Sequence, residues 1–355
     1  MSGPGIVRLA VQVGLVLALG GQGKGADSHP PKALARPVED GPFLRPATGA
    51  TAEPTWGIKG GIAVGIWPTP GPRGLIRVYA PYLGQERLSP INFVAVEPVA
   101  GRSRGLSELE KSALDGVAGK AMWTSDVREN MLRPRPPWQP ARGVVTRTGG
   151  VKTLAFFVHV EPLENGARPV VEVRLRDDRP YEVGFRVFAA QGGTAMRACI
   201  LTATMGNYAR LRRLWLRDRV EEARSVYEPF RPTFMGFAEH RQWGVGRLRL
   251  DDGEAIVAAT TDEDAPSRAS YGKDVPSWWH YKGAKATQYW RARARDGLVL
   301  RVNGRATYWA SKAAIPGGVA FENFELEAPF EPGQEFRFGV TPETPEKLGF
   351  RGKRP

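Results

Sequence analysis

Two short stretches hold most of the residues able to move protons or grip a sugar. Phe237-Ala-Glu-His-Arg-Gln-Trp243 sets His240 and Arg241 beside Trp243. Trp278-Trp-His-Tyr-Lys282 sets His280 and Tyr281 behind Trp278 and Trp279, with Lys282 next. Aromatic faces stack on the C–H surfaces of sugar rings, and Arg, Lys and His bind hydroxyls and carboxylates. Loops that carry such groups on a rigid sheet are where binding sites usually form. A third stretch, Met205-Gly-Asn-Tyr-Ala-Arg210, adds Asn207, Tyr208 and Arg210. Together these parts suit a polysaccharide lyase. A base (His280, Tyr281, Tyr208 or His240) removes the proton α to a uronate carboxylate, and Asn207, Arg210, Arg241 or Lys282 binds the carboxylate and stabilises the enolate. Trp243, Trp278 and Trp279 would form the sugar platform. Without a base, the same aromatics describe a non-catalytic carbohydrate-binding or cell-envelope protein. Each stretch also has a purely structural reading, with Asn207 as a helix cap and Trp278 and Trp279 as plugs at a sheet edge.

Other chemistries are poorly supplied. The sequence contains no Walker A loop, no Rossmann fingerprint after a strand, no HExxH and no Gly-x-Ser-x-Gly. No cofactor or metal is expected. Of four histidines, His29 lies in the Pro-rich arm and His159 in an apolar strand, where a packed, hydrogen-bonded role is favoured. In Phe321-Glu-Asn-Phe-Glu-Leu-Glu327, strand alternation predicts Glu325 and Glu327 on one face and Glu322 on the other. Such a segment offers a glycosidase at most one of its two carboxylates. Asp262, Glu263 and Asp264 read as a solvated acidic turn.

The net charge of +13 favours an anionic partner, but Arg at 38 outnumbers Lys at 12, and these charges are dispersed and often sit beside Asp or Glu. That pattern is compositional rather than a nucleic-acid tail. The expected partner is a polysaccharide, an anionic one suiting the charge, with neither nucleic acid nor stable membrane insertion. The single cysteine, Cys199, excludes a disulfide within the chain and lies in an apolar strand-like run, where a buried inert thiol is expected.

These residues must be positioned by β structure. Alternating or apolar runs of strand length recur from Trp56 onwards, including residues 60–67, 154–160, 181–188, 298–302 and 334–340. Asn303-Gly304 predicts a hairpin turn. Two helices are predicted, one over 108–121 opened by Ser107, the other over 208–223 from the spacing of Leu211, Leu214, Trp215 and Val220. Strands follow one another without helical crossovers, which excludes a doubly wound parallel sheet. The prediction is an all-β protein: a large antiparallel β-sandwich of supersandwich or jelly-roll type with one or two short helices, over residues 55–355, with a possible subdivision near 140. Residues 26–54, with six Pro between 27 and 54, read as a linker or a draped arm.

At Phe321-Glu-Asn-Phe-Glu-Leu-Glu-Ala-Pro-Phe-Glu-Pro-Gly-Gln-Glu-Phe-Arg-Phe338 the chain resembles the closing strands of secreted β-sandwich proteins of the galactose-mutarotase-like type, and Gly74 to Tyr82 is compatible with them. The resemblance covers about a tenth of the chain. It implies a supersandwich and a carbohydrate ligand, and carries over no functional residue.

The N-terminus has the pattern of an export signal. One positive side chain, Arg8, precedes an apolar run from Leu9 to Leu19, and Gly20 to Ala26 supplies small residues for cleavage. The run is too short to span a bilayer. The expected location is periplasmic or extracellular. N-terminal sequencing of the exported protein should begin near Lys24 to Ala26, and a mature chain that keeps Met1 would contradict the signal.

Overall fold

The computed structural model describes residues 37–47, 54–66, 74–85, 91–104, 108–109, 120–129, 140–205, 210–233, 236–308 and 313–352. The segment predicted as an export signal, Asn207, Tyr208 and all but four residues of the helix predicted at 108–121 lie outside them. Residues 31–355 form one compact unit. In chain order its elements are β1 (Val38–Asp40), β2 (Phe43–Arg45), β3 (Thr55–Ile58), β4 (Ala63–Gly65), β5 (Ile76–Tyr79), β6 (Asn92–Ala100), β7 (Ser103–Arg104), β8 (Met122–Ser125), β9 (Val144–Thr148), β10 (Val151–Val160) and β11 (Pro169–Arg176). Then follow β12 (Glu182–Ala189), β13 (Met196–Met205), β14 (Leu211–Trp215), β15 (Val220–Glu222), the single-turn helix α1 (Ala223–Val226), β16 (Arg241–Gly244), β17 (Arg249–Asp251), β18 (Glu254–Thr261), β19 (Thr287–Arg293), β20 (Val299–Arg305), β21 (Ala320–Pro329) and β22 (Gln334–Thr341). Strand accounts for 51% and helix for 6%, so no layer of the fold is helical.

The pairing is antiparallel and resolves into two layers. One runs β1-β2-β3-β4-β5-β6-β13-β21-β20-β16. The other runs β15-β14-β18-β19-β22-β12-β11-β10, with β8 and β9 sharing the last edge. A single residue pair, Leu211 with Phe321, joins them. The expected sandwich is therefore observed. Its core is one continuous apolar cluster fed by alternate residues of both layers. Trp56 of β3 stacks on Phe156 of β10, with ring centroids 4.0 Å apart. Trp290 of β19 packs on Phe338 at 5.0 Å, and its Nε1–H donates to the Phe324 carbonyl of β21 at 2.8 Å. That bond crosses between the layers, so Trp290 both fills the core and sets the separation of the two sheets.

The draped-arm segment contributes structure of its own. β1 and β2 form a hairpin on β3, and Phe43 is completely buried. At the other end of the chain Phe350 and Leu348 cover Trp215, Val220, Ile256, Ala258 and Tyr289 on the outward face of the second layer.

Three expectations are corrected. Residues 211–222 form the hairpin β14–β15, not a helix. The register of β14 shifts between Leu211 and Arg213, and this bulge lets Leu211 and Leu214, three apart, enter the same core. A bulged strand thus imitates helical spacing. Asn303-Gly304 is not a turn but lies within β20, where Gly304 receives the ring of Tyr227; a Cβ there would sit 2.8 Å from it. Glu322 does not oppose Glu325. A second bulge, on β21 opposite Val302–Gly304, turns both Phe321 and Phe324 into the core and leaves Glu322 beside Arg305 at 3.5 Å, in the same outward row as Arg301.

Trp290→Ala should cost about 3–5 kcal/mol, the usual loss for a buried aromatic. Trp290→Phe should cost about 1–3 kcal/mol, because the Phe324 carbonyl then loses its donor. Chemical denaturation measures both, and a Trp290→Phe variant as stable as the parent would show that the cross-layer bond contributes nothing.

Candidate functional site

The His280 stretch forms a 3-10 turn over Ser277–Trp279 followed by extended chain, a loop between β18 and β19. It meets Arg210 through Tyr271. The Arg210 guanidinium lies 4.5 Å above the Tyr271 ring, and that ring stacks on His280 at 4.0 Å and 7°. Arg210, His280, Tyr281 and Trp279 thus belong to one corner, but their polar atoms are engaged within it. Arg210 is buried, pairs with Glu263 at 2.6 Å and donates to the Tyr308 hydroxyl at 3.0 Å. His280 Nε2–H donates to the Val275 carbonyl at 3.1 Å. The Tyr281 O–H, in a residue only 2% exposed, donates to the Ala284 carbonyl at 2.6 Å. Burial pushes the Tyr271 phenol up to about 12. Trp279 is 6% exposed, which makes it a wedge rather than a sugar platform. Lys282 is exposed, and its backbone N–H donates to Gln85 Oε1. The Trp278 side chain lies outside the described residues.

His240 occupies a different environment, at the free edge of the first layer. Its approach is fixed by two contacts with β20: Ala238 N–H donates to the Gly304 carbonyl, and Arg241 pairs with Val302. His240 Nε2 lies 3.3 Å from Glu325 Oε1, and the imidazole keeps 28% of its surface exposed. Glu325 is buried and accepts from Thr202 Oγ1–H at 3.3 Å, while Arg301 Nε faces its second oxygen at 3.6 Å. Thr202 Oγ1 also lies 3.2 Å from Glu97 Oε2. Arg301 in turn donates to Glu327 at 2.8 Å. An ionised carboxylate facing Arg301 acts as acceptor, so the Nε2–H of His240 donates to it. That bond leaves Nδ1 as the basic nitrogen.

Alternation along β16 separates residues expected to act together. Arg241 and Trp243 take one side, where Trp243 packs against the core. Gln242, opposite Arg301, takes the side of the polar row. Gln242 is exposed, and neither it nor Arg301, Thr202 and Glu97 stands out in the sequence. The available signal was the alternation of Arg301, Asn303 and Arg305 with apolar residues. It marks a polar sheet face but not which carboxylate meets the histidine. No protein-family model and no curated protein matches this chain. Among the described residues, no group of His, Cys, Asp and Glu could hold a metal ion, and no helix is long and apolar enough to cross a membrane.

His159 is buried between Ser125, whose Oγ lies 2.7 Å from Nε2, and Trp123, on which it stacks. Burial pushes its pKa down to about 4. The unfolded chain therefore binds this proton first as the pH falls. Stability is intact above the ordinary histidine value of about 6.5 and declines between there and about 4, by about 3 kcal/mol in full. Denaturation midpoints at pH 7.5 and 4.5 should fall further apart in the parent than in His159→Gln. Equal differences would remove His159 as the source.

Proposed function

We propose that the protein is an exported carbohydrate-active enzyme, a lyase-like β-sandwich that cleaves an acidic polysaccharide with His240 as the base. The observation that carries this reading is a part-exposed histidine bonded to a buried, ion-paired carboxylate. Glu325 holds the ring in one tautomer and stabilises the imidazolium formed when Nδ1 takes a proton. In the reaction, the proton α to the uronate carboxylate passes to Nδ1. The electron pair left on carbon forms a C=C bond, and the C–O bond to the departing sugar breaks. The proton then returns from His240 to the leaving oxygen or to water. The exposed Gln242 amide supplies a donor for the enolate. A hydrolase using Glu97 and Glu325 is disfavoured, because both carboxylates are buried, 4% and 3% exposed, and would have to reach a glycosidic oxygen. The N-terminal export pattern and the resemblance of the closing strands to galactose-mutarotase-like sandwiches agree with a carbohydrate ligand outside the cytoplasm. A binding protein without turnover is the second reading.

Incubation with a panel of uronate polysaccharides should raise the absorbance of an unsaturated uronate product. His240→Ala should lower the rate at least about a hundredfold, the usual size of an acid–base contribution. Glu325→Gln should lower kcat more than it raises KM. An inactive panel with retained sugar affinity would reject the enzyme and leave the binding protein.

A further inference from the structure

The outward face of the second layer carries a grid of charges that the His240 site does not use. Pairing sets Arg186 opposite both Glu335 and Glu172, and sets Arg337 opposite Gly184, which in turn faces Arg174. Adjacent strands lie about 4.8 Å apart, so Arg174 and Arg337 flank a gap two strands wide. The gap exists because residue 184 is glycine. A Cβ there would lie 2.9 Å from Glu335 Oε1, 3.6 Å from Arg174 Cβ and 3.7 Å from Arg337 Cγ. The resulting pit, about 10 Å³ and room for a single water, adjoins an open cleft of about 290 Å³. The two share Glu335 and Arg337 as lining, and the cleft continues to Arg293 and Arg295. They form one groove across β11, β12, β22 and β19.

The donors in this groove exceed their acceptors. Arg174 pairs with Glu335 at 3.1 Å, Arg337 with Glu254, and Arg295 with Glu331 at 2.5 Å. Arg293 is exposed and makes neither an ion pair nor a side-chain hydrogen bond among the described residues. The buried Nε of Arg174 has only Glu172 at 3.9 Å, beyond hydrogen-bond distance, while that of the adjacent Arg291 faces Glu182 Oε1 at 3.3 Å. We propose that this groove is a second carbohydrate site, which binds a uronate-bearing polysaccharide chain on the face opposite His240. Arginine forks take the carboxylates. The interleaved glutamates accept hydrogen bonds from hydroxyls, a task a sugar sets and a bare polyanion does not. A nucleic-acid strand would bring a phosphate at every step against those glutamates. It would also find Tyr289 buried rather than open to a base. The groove does not require His240 to be catalytic.

Binding of polygalacturonate oligomers is measured by calorimetry in the His240→Ala protein, so that turnover cannot consume the ligand. The expected result is binding that weakens with salt and is lost with the methyl-esterified oligomers. Arg293→Glu should weaken binding at least about fivefold, as reversal of one rim charge implies. Gly184→Val should do the same by displacing Glu335 and the arginines packed over the glycine. Arg293 is exposed, so its variant should fold normally and carries the test if Gly184→Val does not fold. Unchanged affinity in Arg293→Glu, or equal affinity for a single-stranded oligonucleotide of the same charge, overturns the proposal. Failure of the lyase assay with this binding intact would reject only the His240 reading.

Discussion

A carboxylate removed from water must be paired, and Glu325 meets that requirement in a way that organises the first layer. It is 3% exposed, a state that would cost several kcal/mol for an uncompensated ion. Thr202 from β13, Arg301 from β20 and His240 from the edge chain each supply a partner. Three separate strand pairings must therefore be in register before the charge is satisfied. A one-residue slip of β20 against β21 would turn Arg301 into the core and leave Glu325 facing an apolar side chain. The same ion pairing that specifies the register also fixes the ring of His240. Stability and proposed chemistry thus share one group of residues.

Two bulges extend this logic. Regular alternation would have sent Glu322 and Glu325 to opposite faces and kept Leu211 and Leu214 apart. The extra residue on β21 places Glu322 beside Arg305, in line with Arg301. The irregularity in β14 leaves Arg212 buried, where it meets Asp262 at 3.0 Å. Leu211 and Phe321, the one residue pair that joins the layers, belong to these two bulged segments. The polar rows and the seam of the sandwich therefore arise from the same departures from ideal strand geometry.

This explains which parts of the molecule were legible beforehand. Strand content, antiparallel connection and a two-layer core follow from apolar runs of strand length, and these depend only on period. The bulged segments misled for the same reason, since Leu211 and Leu214 at a spacing of three are indistinguishable from a helix face without knowledge of the partner strand. At the site, His240 stood out because its neighbours are aromatic and charged. Glu325 did not, because its importance comes from Thr202 and Arg301, more than a hundred and more than twenty residues away in sequence. The His280 stretch looked equally reactive. Only the geometry shows that its imidazole, its phenol and the neighbouring guanidinium bond to the protein's own carbonyls, carboxylates and hydroxyls.

The abundance of arginine takes on a different meaning once the strands are paired. Read along the chain, the charges are dispersed and compositional. Read across the sheets, they form rows, with Arg301, Glu325 and Glu327 on one layer and Arg174, Glu335, Arg337 and Glu254 on the other. A planar guanidinium suits this arrangement, since it can bond to carboxylates on two neighbouring strands at once, whereas an ammonium is a point charge on a flexible stem. Both outward faces are thereby stiffened without a covering helical layer. On the first layer the pairing removes the charges from solvent and leaves one imidazole part-exposed. On the second it stops short, with Arg293 unmatched among the described residues at the mouth of a cleft. The two faces use one structural device, and it is where the pairing is incomplete that each of the proposed sites lies.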